Sequence, residues 1–182
     1  MKNILGGCFF RKPAYPVIKM DDQSNQPTIR LRPANIDEDC SHALLWYQDP
    51  EVLHFSEGPG TEAYDPETVQ AMYRYLASIG RLYIIEAQED GEWVPIGDVT
   101  LSRETIPIVI GDPGYRSRGI GTRVIRMLIE MAREEQWTEL KVKKVYTFND
   151  RSHRMFTGLG FAVTGEGVDE NGHRYRSYRL EL

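Results

Sequence analysis

Gly111-Asp112-Pro113-Gly114-Tyr115-Arg116-Ser117-Arg118-Gly119-Ile120-Gly121 is the stretch from which the rest of the chain can be read. Before it stands an apolar run with strand character, Ile106 to Ile110. After it, from Thr122 to Glu134, Val124, Ile125, Leu128, Met131 and Ala132 recur at helical spacing as one apolar stripe. Two glycines separated by one residue, directly ahead of a helix, let the backbone curl so that successive N–H groups point into one hollow. Those donors have no partner within the helix, and the positive end of the helix dipole lies behind them. Such a hollow suits phosphate oxygens, and Arg116, Arg118 and Arg123 flank it with charge of the right sign. A dinucleotide fingerprint would need a third glycine where Val124 stands, and a triphosphate loop would need Gly-Lys-Ser/Thr, which does not occur.

Outward from that stretch, 182 residues with 41% apolar and 27% charged side chains make one ordinary globular domain. A net charge of −5 argues against a general nucleic-acid binder, so an anionic ligand must be held by a local cluster of donors. Cys8 and Cys40 are too few for a disulfide framework and lack metal-ligand spacing, which points to a reducing cytoplasm and to no metal site. Leu5-Gly6-Gly7-Cys8 has the outline of a lipoprotein box without the apolar region that export requires, and no run is long enough to span a membrane.

Residues 1–27, with three prolines and a polar run from Asp21 to Gln26, read as an extension outside the main domain, 28–182. Tyr15 to Met20 pairs in this reading with Thr28 to Arg32 as a hairpin. A helix follows over Asp37 to Tyr47, stopped by Asp49-Pro50, then a loop with Gly58-Pro59-Gly60. Asp65-Pro66-Glu67 opens a second helix that ends at Gly80. Strands over Arg81–Ala87 and Trp93–Ser102 precede the central stretch. Leu140–Phe148 is a strand with a bulge at Lys143-Lys144, Asn149–Thr157 a short helix, and Phe161–Thr164 with His173–Leu180 a closing hairpin. The order β-α-α-β-β-β-α-β-α-β-β predicts an α+β fold with helices on a mixed, mainly antiparallel central sheet.

The Arg-x-x-Gly-x-Gly pattern of Arg116, Gly119 and Gly121 resembles the coenzyme A pyrophosphate loop of the GNAT N-acetyltransferase superfamily. Asn149-x-x-Ser152, followed by Phe156 and Gly160-Phe161, resembles the second signature of those enzymes at the right separation. The resemblance covers about residues 28–182 and is nearest in pattern to ribosomal-protein and aminoglycoside N-acetyltransferases. It implies a splayed strand pair with helices on both faces, acetyl-CoA as cofactor, and homodimers, which are common in the family. It also implies that amides over Ser117, Arg118, Gly119, Ile120, Gly121 and Thr122 take the pyrophosphate. Val109, Ile110 and Gly111 would pair with the pantetheine, and Asn149, Ser152 and Phe156 would contact the cofactor.

Acyl transfer to an amine also needs donors for the oxyanion and an acceptor for the amine's proton, because an alkylammonium has a pKa of about 10.4. Asp98, Glu104 and Asp112 are the candidate bases. Many relatives carry tyrosine where Phe156 stands, and phenylalanine cannot return a proton to the leaving thiolate. Tyr146, Ser152 or solvent would have to do so. His153 reads as an exposed residue of the short helix. By resemblance the acceptor site comprises Trp46, Tyr47, His54, Phe55, Glu57 and the segment Glu166 to Tyr175, and the acceptor is a small-molecule amine or a protein N-terminus. Two competing readings are an acyl-CoA-binding module without turnover, motivated by Phe156, and a phosphate-ligand protein of another fold.

Overall fold

A computed structural model of the chain describes residues 17–18 and 26–182. Cys8 with its glycines, Pro13 and Pro16, and the polar run over 21–25 lie outside the described residues. In chain order the elements are β1 Val17–Ile18, β2 Ile29–Pro33, α1 Ile36–Trp46, α2 Pro50–Ser56, α3 Pro66–Ile79, β3 Gly80–Glu89 and β4 Glu92–Ser102. They continue with β5 Ile108–Ile110, α4 Ile120–Glu134, β6 Glu139–Tyr146, α5 Asp150–Gly158, β7 Ala162–Val168 and β8 Arg174–Glu181.

The strands form two sheets, β1-β2-β3-β4-β5 and β6-β8-β7, in which every ladder is antiparallel. Val17 lies opposite Arg30 and Ile18 opposite Ile29. The central sheet is thus divided where β5 and β6 would meet, and among the described residues no ladder joins them. One end of the gap is tied. There Lys143 donates its backbone N–H to Thr105 Oγ1 at 3.1 Å and its Nζ to Glu104 Oε2 at 2.7 Å. The bulge expected at Lys143-Lys144 is present as a register shift between Val142 and Val145.

Alternation along β3 assigns the two faces of the larger sheet. Leu82 and Ile84 pack with Ala43 of α1 and Val69, Tyr73 and Leu76 of α3. Tyr83, Ile85 and Ala87 face the other way, onto Val124, Ile125 and Leu128 of α4. Helices therefore cover both faces.

The first helix ends just before Asp49-Pro50, as the sequence predicts, but Asp49-Pro50 also begins α2 where the sequence reading had a loop. Asp49 caps that helix by accepting from Glu51 N at 2.8 Å, with proline in the first turn. Asp65 and Pro66 do the same for α3. A cap of this kind stabilises a helix by about 1 kcal/mol.

One edge of the α1 face is held by charge. Arg32 grips Asp39 through two bonds (2.7 and 3.0 Å) and Glu86 through a third (2.9 Å), while Arg30 takes the other oxygen of Glu86 at 2.6 Å. Both carboxylates are buried.

Candidate functional site

The central stretch folds as a strapped loop. Asp112 caps a 3₁₀ turn over Pro113–Tyr115, its Oδ1 accepting from Gly114 N at 2.8 Å. Arg116 then turns back on the chain. Its Nε donates to the Ile110 carbonyl at 3.0 Å, Nη2 to the Gly111 carbonyl and to Asp49 Oδ2 (2.6 Å), and Nη1 to Glu51 Oε2 at 3.1 Å. Its guanidinium thus pins β5 and the loop to the start of α2. Ser117 (φ 59°) and Gly119 (φ 73°) both adopt the left-handed conformation, which reverses the chain into α4. Asn35, Asp49, Asp65 and Asn149 cap their helices with side chains, but α4 has no side-chain cap. Its first amides are left open.

Those amides border a cavity of about 550 Å³ that opens beside β5. One wall is β5, with Ile108, Val109 and Ile110. A second runs from Tyr115, Arg116 and Ser117 through Gly119, Ile120, Gly121 and Thr122. The third is α5 with its cap: Asn149, Arg151, Ser152, Arg154 and Met155. The fourth is α2, through Glu51, Val52, Phe55 and Ser56. The edge of β5 that faces away from β4 carries its peptide groups along this space. Ser56 Oγ is buried without a partner among the described residues. Gly121 sits where a Cβ would come within 3.0 Å of Met155 Sδ, so the bare backbone keeps the passage open.

Ten of the cofactor residues read from the sequence therefore share one cavity: Val109, Ile110, Arg116, Ser117, Gly119, Ile120, Gly121, Thr122, Asn149 and Ser152. Three do not line it. Gly111 packs against Trp46, whose ring fills the space a Cβ would need. Arg118 lies over the Tyr115 ring, 5.4 Å from its centroid, on the exposed side of the turn. Phe156 is in the core, stacked with Tyr178 and edge-on to Phe161. The helix presents Met155 to the cavity instead. Arg123 is also inward, 8% exposed, and donates to the Pro27 carbonyl at 2.8 Å.

The candidate bases separate by surroundings. Asp112 is engaged as a cap, and Glu104 in an exposed pair with Lys143. Asp98 is 2% exposed and lies cross-strand from Val109, on the α1 face. It accepts from Tyr73 Oη at 3.0 Å and Tyr47 Oη at 3.3 Å. Loss of water pushes its carboxyl up to about 7, against the opposing pull of the two hydroxyls.

Around the acceptor residues the picture is mixed. Trp46 and Tyr47 are buried, Trp46 supporting Gly111 and Tyr47 bonding Asp98, so neither presents an open surface. His54 is exposed and packs its ring on Phe55 and Phe148. Glu57 ends α2, and its carbonyl accepts from Tyr146 Oη at 2.6 Å. That hydroxyl also lies 3.0 Å from Asp169 Oδ2 and 2.9 Å from Lys144 Nζ. Burial raises the Tyr146 phenol above its ordinary pKa. His153 is not an exposed residue: its ring bridges the Tyr146 carbonyl (3.0 Å) and Tyr178 Oη (2.5 Å). Because Nε2 must donate to that carbonyl, Nδ1 accepts from the tyrosine.

The sequence reading missed the α2 wall and the α5 residues Arg151, Arg154 and Met155. A cap-and-proline signature at Asp49-Pro50, and helical spacing counted from Ser152, were the signals available. Among the described residues there is no metal-binding cluster, and no helix is long and apolar enough to cross a membrane.

A family model described as an acetyltransferase (GNAT) domain matches residues 28–162. Three solved structures illustrate the similarity of fold. A domain from Methanocaldococcus jannaschii is 22% identical, with 86% of this chain and 100% of that one covered and a TM-score of 0.73. Aminoglycoside acetyltransferase AAC(6')-Ib in complex with coenzyme A is 18% identical, with 85% and 95% covered and a TM-score of 0.66. Spermidine N-acetyltransferase from Vibrio cholerae, in complex with coenzyme A and spermine, is 15% identical, with 84% and 95% covered and a TM-score of 0.67.

Proposed function

The chain belongs to the GNAT acetyltransferase family, and from that premise we propose that it transfers an acetyl group from acetyl-CoA to a primary amine of a small molecule or a protein N-terminus. The observation that carries this is the meeting, in one cavity, of an α4 N-terminus without a side-chain cap and the unpaired edge of β5. Open amides at the first suit a diphosphate. A free strand edge suits an extended arm with its own amides. Ser56 Oγ, buried and without a partner in the same wall, is a further polar group such a ligand would satisfy.

Acetyl-CoA supplies the activated thioester; the residues of this chain do the rest. Ser117 to Thr122 hold the diphosphate. The outward N–H groups of β5, on Ile108 and Ile110, would stabilise negative charge on the acyl oxygen, whereas Val109 turns its own toward β4. Asp98, held by the Tyr47 and Tyr73 hydroxyls and with a carboxyl close to neutral pH, is matched to the task of taking the proton that the attacking amine loses; because it does not line the cavity, the proton would reach it through water. Ser152 faces the cavity from α5, a hydroxyl able to pass a proton to the departing thiolate. Tyr146 is engaged by Glu57, Asp169 and Lys144 and acts as a structural tie between β6 and the end of α2.

The neighbours named for aminoglycoside and spermidine acetylation lend support to a small amine as acceptor. The test is release of free thiol from acetyl-CoA over a panel of polyamines, aminoglycosides and peptides with free N-termini. Thiol release with one class identifies the acceptor. Heat of coenzyme A binding without thiol release from any of them would favour a binding module without turnover, and absence of binding heat would overturn the proposal.

A further inference from the structure

Charge at the mouth of the cavity is arranged in a way that the diphosphate loop does not explain. Glu51, in the first turn of α2, reaches across to two arginines. Its Oε2 takes Arg116 Nη1 at 3.1 Å, and its Oε1 takes Arg151 Nη2 on α5 at 2.6 Å. Arg116 has other partners, Asp49 and two backbone carbonyls, and holds its position without Glu51. Arg151 is different. Among the described residues it has, besides Glu51, only the face of Phe55, 4.8 Å from its guanidinium carbon. Arg154 lies three residues on, the spacing that puts two side chains on one helix face. It lines the same cavity and takes part in none of these ion pairs. In a protein whose net charge is −5, this wall carries two arginines and one shared carboxylate.

We propose that Arg151 and Arg154 form a second anion subsite, for the phosphomonoester that coenzyme A bears on its ribose apart from the diphosphate, and that Glu51 occupies this place until the ligand arrives. The inference rests on the coenzyme A reading of the cavity. A carboxylate half exposed to water holds an arginine weakly. A phosphomonoester carries about −1.5 to −2 charges at neutral pH and offers three acceptor oxygens, so it displaces the carboxylate. Arg151 then passes from Glu51 to the ligand, and α2 is released from α5 as the nucleotide settles.

Calorimetric titration with coenzyme A and with dephospho-coenzyme A, which lacks only that phosphate, tests the subsite. The wild-type chain is expected to favour coenzyme A about tenfold, a preference that shrinks with salt. Arg151→Ala with Arg154→Ala removes the preference and leaves dephospho-coenzyme A affinity within about twofold. Glu51→Gln strengthens coenzyme A binding about threefold without changing the other ligand. Inorganic phosphate at millimolar concentration should erode the preference, and Arg154→Ala alone serves if the double variant does not fold. Equal affinity of the two ligands in the wild-type chain, or a preference the arginine variants keep, overturns the subsite and leaves the diphosphate loop standing. Failure of both ligands to bind would instead overturn the coenzyme A reading itself.

Discussion

At the scale of single residues the decisive group is Asp98. A carboxylate in water would be ionised far below neutral pH, but here two tyrosine hydroxyls replace the solvent and the carboxyl is pushed up to about 7. The native state therefore keeps a proton that the unfolded chain has already lost. Its contribution to stability is full below about pH 4 and is lost as pH rises through about 7, a change on the order of 4 kcal/mol for three pKa units. Asp98→Asn cannot titrate. Urea unfolding of both proteins from pH 4.5 to 8 should show the wild type losing stability relative to the variant, and parallel curves would refute the shifted carboxyl. In turnover the same substitution is expected to lower kcat about 10²-fold or more and to remove the limb that rises through pH 7.

Gly119 makes a second residue-scale case. An alanine Cβ there meets only Gln26 Nε2, at 3.8 Å, so space is available, but φ is +73°. Gly119→Ala should cost about 1–2 kcal/mol in a thermal or urea melt, from backbone strain alone. A melt unchanged from wild type would mean that the loop does not need the left-handed turn.

Among the elements, helix ends and ion pairs decide more than helix interiors. Arg32 joins α1 to β3 by pairing with Asp39 and Glu86, both buried. Arg32→Ala leaves Asp39 without its arginine, and a loss of about 3 kcal/mol is expected in chemical denaturation. Arg32→Ala combined with Asp39→Ala should recover part of that loss. What could be read from the sequence follows the same division. The α4 stripe, the loop before it and the bulge at Lys143-Lys144 were legible because each depends on neighbours a few residues away. The wall made by α2 was hidden because Asp49-Pro50 can stop one helix or start the next. The role of Arg116 was hidden for a stronger reason: Asp49 and Glu51 lie 67 and 65 positions distant. On α5 the element was legible and its rotation was not, so Phe156 was expected at the cavity and Met155 was found there. His153 was misjudged likewise, since Tyr178 comes from the last strand.

For the whole molecule, the order of elements was sufficient to expect an α+β fold, while the division into two sheets came from resemblance alone. No local pattern announces a ladder that does not form. If the cavity beside β5 takes coenzyme A, ligand binding stabilises the native state by mass action. At a hundredfold excess over Kd the native state gains about 2.7 kcal/mol, which for a chain of this size raises Tm by roughly 5–10 °C. Differential scanning fluorimetry with and without coenzyme A measures this directly, and an unmoved transition at saturating ligand would contradict it.

The gap also has a consequence for solubility. A bare strand border is a template on which another polypeptide can nucleate aggregation, and proteins protect such borders by keeping them brief or covered. Here β5 has three residues, ends in a strapped turn, and is screened by α2 and α5. It is long enough to receive a ligand's amides and too short to recruit a neighbouring chain. A variant that lengthened this border would be expected to precipitate before it lost its fold.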